Sequence, residues 1–78
     1  MGVSAYILIE TEMGKAGDVA RAIRLLDGIT AAEDVTGPYD IIVRAEAADL
    51  DELGRAVLKQ IQTIGGITRT VTCPVVHL

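Results

Sequence analysis

The one histidine and the one cysteine of this 78-residue chain, His77 and Cys73, stand near its C-terminal end. A nucleophilic pair would need the two in contact, and a metal site would need further ligands. Four residues apart on a strand, they share a face but lie too far apart to touch. No second histidine or cysteine completes a metal-site spacing. Cys73 sits in an apolar run with nothing basic nearby to activate its thiol, and is expected to be a small core hydrophobe. His77 reads as an incidental tail or interface residue. Among the carboxylates, Asp49, Asp51 and Glu52 cluster where a helix should start, and capping plus the helix dipole account for them. Glu33 and Asp34 differ, because adjacent residues on a strand point to opposite faces: either both lie on a solvated edge, or one is solvated while the other faces a partner. Gly14-Lys15-Ala16-Gly17 lacks the spacing and the Ser/Thr of a phosphate loop, and neither a dinucleotide fingerprint nor a nucleophile elbow occurs. Nothing in these residues demands an enzyme, and no metal and no cofactor are expected.

Composition narrows the partners. Seven basic residues face eleven acidic ones, for a formal charge of −4. The basic residues are scattered and not interleaved with aromatics, so no nucleic-acid footprint is present. The longest unbroken apolar run, 5–9, is far short of a membrane span. The first residues lack a signal-peptide pattern, and Tyr6 stands where a myristoylation motif needs Ser or Thr. A cytoplasmic protein is expected. The length allows one domain, 1–78, with a thin core. Yet 50% of residues are hydrophobic, nearly all aliphatic, and mean hydropathy is +0.40. An aliphatic excess on so short a chain points to burial against a second copy.

The elements follow from periodicity and punctuation. Residues 3–11 alternate with large apolar groups in both sets (Ile7 and Ile9; Tyr6 and Leu8), which predicts a strand covered on both faces. A helix is expected over 18–26, starting as early as Lys15, with Val19, Ile23 and Leu26 as its stripe and Ala20, Ala22 and Leu25 widening it. Gly28 ends it. Strands are expected at 29–36 and 39–47, joined by the Gly37-Pro38 turn. Asp49 and Glu52 form a capping-box-like start for a second helix reaching residue 63 or 64. Its stripe is Leu50, Leu53, Val57, Ile61 and Ile64, and a close approach to the sheet would account for Gly54 inside it. A last strand is expected over 67–76, at an edge or bent, because Pro74 has no N–H. The order β-α-β-β-α-β is the split βαβ arrangement of α+β ferredoxin-like folds, an antiparallel sheet with both helices on one face. The other face would be covered by a second copy, sheet against sheet.

Two segments carry a resemblance. Val35-Thr36-Gly37-Pro38-Tyr39-Asp40, followed by Ile41-Ile42-Val43, is similar to the V-T-G-x-Y-D hairpin of the effector domain of Lrp/AsnC (feast/famine) regulators, also called the RAM domain. The stretch 58–72 resembles the same domain's helix end and T-x-T strand. The resemblance implies a ferredoxin-like protomer, a tight dimer forming an α/β barrel, and dimers assembled into a ring, commonly an octamer. It also implies a small effector, usually an amino acid, held between dimers near the hairpin. Matched by position, the residues implied are Asp34, Thr36, Gly37, Pro38, Tyr39 and Gln62, with Asp40 in addition. A zwitterionic amino acid needs donors for its carboxylate and acceptors for its ammonium. Thr36 and the unhindered backbone of Gly37 would donate, Asp34 or Asp40 would accept, and Gln62 could do either. Pro38 has no N–H and would only shape or touch. Full regulators of this family carry an N-terminal helix-turn-helix domain, whereas here a strand follows Met1 almost at once. A stand-alone sensing module is therefore expected, with full-length Lrp-type regulators as candidate partners. Two other readings share the fold: a small dimeric α+β barrel enzyme of the cofactor-free monooxygenase or heme-degrading type, and a purely structural assembly domain. Few aromatics and the tail position of His77 weigh against the enzyme.

Overall fold

Paired on both flanks and rich in β-branched residues, the first strand is one of the two inner strands of a four-stranded antiparallel sheet. The computed structural model describes residues 2–78. Its elements are β1 (Val3–Thr11), α1 (Ala16–Arg24), β2 (Ile29–Asp34), β3 (Ile41–Ala47), α2 (50–62) and β4 (Ile67–Pro74). The sheet order is β2-β3-β1-β4. On β1, Ile7 stands opposite Val43 of β3 on one side and Thr72 of β4 on the other. This is the expected ferredoxin-like arrangement. No helix of the described residues is long and apolar enough to cross a membrane.

One face of the sheet is packed by both helices. Ala5, Ile7, Ile9, Ala32, Ile41, Val43 and Ala45 meet Val19, Ala20 and Ile23 of α1 and Leu53, Val57 and Ile61 of α2, all buried. The opposite face carries Tyr6, Leu8, Ile42, Arg44 and Val71. Tyr6 is 42% exposed and Ile42 36%. The Arg44 guanidinium lies over the Tyr6 ring at 5.1 Å, and its Nη1 donates to the Tyr6 hydroxyl at 2.6 Å. Cys73, directly opposite Tyr6, is exposed on this face, so it is not the core hydrophobe expected from its apolar run.

The differences from expectation have local causes. α1 starts at Ala16, inside the expected range, but stops two residues early, and Leu25 caps it with its N–H bonded to Ala22 O. Leu25 thus leaves the stripe and is 86% exposed. The chain then turns at Gly28 (φ 87°), where a Cβ would lie 3.0 Å from Glu46 O and 3.1 Å from Val57 Cγ2, so no side chain fits. β2 ends at Asp34 and β3 starts at Ile41, short of their expected bounds, because residues 35–40 leave the ladder. β4 stops at Pro74, on the sheet edge as anticipated.

The second helix is not uniform. Asp49 Oδ1 accepts from Glu52 N–H at 2.8 Å, and the Glu52 carboxylate accepts from Ala48 N–H at 3.1 Å, one residue before the usual capping-box position. After the α-helical turn Leu50–Glu52, the segment Leu53–Leu58 is a π-helix, and Lys59–Gln62 is α-helical again. Leu53, Val57 and Ile61 recur every four residues. On an α-helix each such step drifts by about 40° around the axis. The wider π turn takes up that drift and keeps all three at 2% exposure or less. Leu50, one turn earlier, falls off the stripe at 58% exposure. A Cβ on Gly54 would meet nothing within 4 Å, so a close approach to the sheet does not explain that glycine.

Candidate functional site

The β2–β3 connection is short, polar and held at two points. Val35 N–H bonds Asp40 O at 2.9 Å across its base. Asp40 then crosses to the central strand: its N–H donates to Ile9 O at 2.9 Å, and its Oδ2 accepts from Thr11 N–H at 2.8 Å and Thr11 Oγ1 at 3.2 Å. The tip between these anchors is open. Thr36, Gly37 and Pro38 are exposed, and Tyr39 is half-buried. Gly37 has φ 133° with open space around it, so the glycine serves the backbone conformation rather than a tight contact.

The site residues expected from the sequence divide into three groups. Thr36, Gly37, Pro38 and Tyr39 share the tip. Asp34 ends β2 beside it, half-exposed, with Arg24 Nη2 4.0 Å from its Oδ2. Asp40 has one carboxylate oxygen committed to Thr11, which makes it an anchor first and leaves Asp34 as the freer acceptor. Gln62 lies exposed at the end of α2. It stands at the same end of the sheet as the hairpin, since β3 and β4 start where β1 ends. Glu12 N–H to Gly66 O at 2.8 Å ties the β1 exit to the turn that follows α2. Among the described residues, no hydrogen bond joins Gln62 to the hairpin. Thr11 was not singled out by sequence reading. Its role follows from the pairing of Ile9 with Ile41, which brings residue 40 beside the end of β1, and no local pattern signals it.

The rest of the surface offers little catalytic chemistry. A depression of about 370 Å³ runs along β2, lined by Arg24, Ile29, Thr30, Ala31, Ala32 and Glu33, and none of residues 36–40 lines it. Glu33 faces the sheet side of Ile42 and is exposed, while Asp34 takes the opposite face, as the alternation requires. His77 is exposed beyond β4. Among the described residues, no three His, Cys, Asp or Glu side chains are grouped to hold a metal ion.

Comparison with known proteins places the same segment in context. Residues 4–77 match the family described as the Lrp/AsnC ligand binding domain. An uncharacterised helix-turn-helix-type transcriptional regulator of Pyrococcus furiosus is 29% identical over 75 residues, covering 92% of this chain and 50% of that protein. The chain thus spans about half the length of the curated regulators it matches. A homocitrate synthase of Sulfolobus acidocaldarius is 35% identical over 54 residues, covering 69% of this chain but 11% of the enzyme. The structure of AsnC from E. coli superposes with a TM-score of 0.88 at 27% identity, covering 97% of this chain and 52% of that one.

Proposed function

The chain belongs to the Lrp/AsnC ligand-binding domain family, and from that premise we propose that it is an amino-acid-sensing module whose binding site is completed between copies. The observation that carries this reading is the hairpin: an exposed tip of donors, Thr36 and the Gly37 backbone, held rigid by Asp40 on Thr11, with the Asp34 carboxylate beside it. One protomer presents these groups without enclosing them. A second surface laid against the tip would exclude water and strengthen each charge-assisted bond. In this reading the ligand carboxylate meets Thr36 and the Gly37 N–H. The ammonium meets Asp34, released from an exposed and loose pair with Arg24 that contributes little by itself. Asp40 positions the loop, Pro38 and Tyr39 shape its wall, and Gln62 comes from the same end of the sheet or from a neighbouring copy.

The open sheet face of Tyr6, Leu8, Ile42 and Val71 serves the dimer, forming an α/β barrel, and dimers meet around the hairpins in a ring such as an octamer. The module works in the cytoplasm as a regulator rather than an enzyme. It acts through partners, full-length Lrp-type regulators by mixed assembly first among them, with no DNA-reading element of its own among residues 2–78. Matches to helix-turn-helix-type transcriptional regulators and, over a shorter stretch, to a homocitrate synthase favour ligand recognition as the shared property. Calorimetry and thermal unfolding against each proteinogenic amino acid test the reading. A ligand at 100 times its Kd should stabilise the fold by about 2.7 kcal/mol. Thr36→Val should weaken that response while leaving the unliganded melting temperature in place. Silence toward every amino acid at millimolar concentration overturns it.

A further inference from the structure

An open sheet exposes unpaired N–H and C=O groups on both outer strands, and a second chain can match them. On β4 the edge is interrupted by Pro74, which has no N–H. On β2 the side chain of another element intervenes. Ala31 and Glu33 lie opposite Arg44 and Ile42 of β3, and Glu46 N–H donates to Gly28 O, so residues 42, 44 and 46 of β3 direct their backbone groups at β2. Their partners on β2 are Ala31 and Glu33. Ala32 and Asp34 therefore turn their backbone groups outward. From α1, Arg24 reaches over this edge, and both Nε (3.0 Å) and Nη2 (2.6 Å) donate to Ala32 O.

We propose that Arg24 guards the β2 edge, occupying the carbonyl through which β2 of a second copy would otherwise pair with it. The occupant the guard excludes is set by the strand itself. Two β2 strands run antiparallel about a two-fold axis centred on Ala32 present the same outward groups to each other, the self-complementary case. In that register Asp34 faces Thr30 and Glu33 faces Ala31, so no like charges oppose. The depression beside the strand is lined by Arg24 together with Ile29, Ala31 and Ala32, so no other element covers this part of the edge. The ladder bulge between Ile29 and Ala31 ends the regular part of the edge just before the carbonyl that Arg24 covers. Two donors converging on one oxygen are a property of the guanidinium fork that a lysine cannot reproduce. The guard needs no ligand and does not depend on the sensing role.

Size-exclusion chromatography with light scattering over a concentration series tests it. Arg24→Ala should add a species of at least about twice the parent mass that grows with concentration. Arg21→Ala, on the same helix but paired with Asp18, should keep the parent mass. Combining Arg24→Ala with Asp34→Pro, which deletes an outward N–H of the same edge, should return the mass of the Asp34→Pro variant alone. Should Arg24→Ala fail to fold, Arg24→Lys, which keeps the stem and charge but loses the fork, is read in the same way. An unchanged mass in the Arg24 variant, or growth that persists with Asp34→Pro, overturns the proposal.

Discussion

The two faces of the sheet are built from the same strands and differ in nearly every other respect. On the helix-covered face, Ala5, Ile7, Ile9, Ile41, Val43 and Ala45 have no exposed surface. On the other, Leu8 and Val71 are half-buried, Tyr6 and Ile42 remain exposed, and Arg44, Glu33 and Glu46 stand among them. The first face is finished within one chain. The second is a mosaic of aliphatic groups and charges, too apolar to be only solvated and too polar to be a core. A chain of this length can complete one layer of packing, and the excess of aliphatic residues collects on the layer it cannot complete.

The contrast can be broken most forcefully from the inside. Ile7→Ala removes three carbons from a side chain with no exposure and should cost about 3 kcal/mol, read as a shifted midpoint in urea. The next effect concerns the helices that finish the inner face. Asp49→Ala leaves the Glu52 N–H without its cap and should cost about 1 kcal/mol by the same measurement. Gly54→Ala should gain about 0.5–1 kcal/mol if the glycine is merely a weak helix former with open space beside it. A loss instead would mean that the glycine is what lets Leu53–Leu58 widen into a π turn. The smallest effect belongs to the outer face. Ile42→Ala should change the stability of an isolated protomer by no more than about 0.5 kcal/mol. Its effect should rise with protein concentration in an assembly that covers the face. Equal effects at Ile7 and Ile42 in dilute solution would erase the distinction.

The sequence showed these two faces unevenly. Alternation along residues 3–11 announced a strand with apolar residues on both sides, and the Gly37-Pro38 turn before a strand expected over 39–47 announced the hairpin. Pro74 announced an edge, and Asp49 with Glu52 announced a helix start. Each of these signals is local, carried by residues within one turn or one strand of each other. What escaped depends on contacts between distant segments. Leu25 and Leu50 match the apolar spacing of their helices, but the helix ends decide their exposure. The π turn follows from where three side chains meet the sheet. Cys73 reads as a core residue until register places it opposite Tyr6 on the uncovered side. In the candidate site, the hairpin and its polar tip were legible. The bond from Asp40 to Thr11 was not, because 29 residues separate the pair. The two bonds from Arg24 to a carbonyl on β2 have no sequence pattern at all.

The place of β1 in the sheet also governs when the fold can form. It is the first strand in the chain, yet its neighbours are β3 and β4, so Ala5 waits for Ala45 on one side and Pro74 on the other. Contacts of such long sequence separation close slowly, because the intervening chain must be ordered before they form. While the chain is being made, helix α1 and the β2–β3 hairpin can assemble from local contacts, but Ile7 and Ile9 lack their second flank until residues 67–74 have been synthesised. The apolar centre of the sheet is thus the earliest-made of its four strands and the last to be sheltered, an interval in which a nascent chain is most open to association with others.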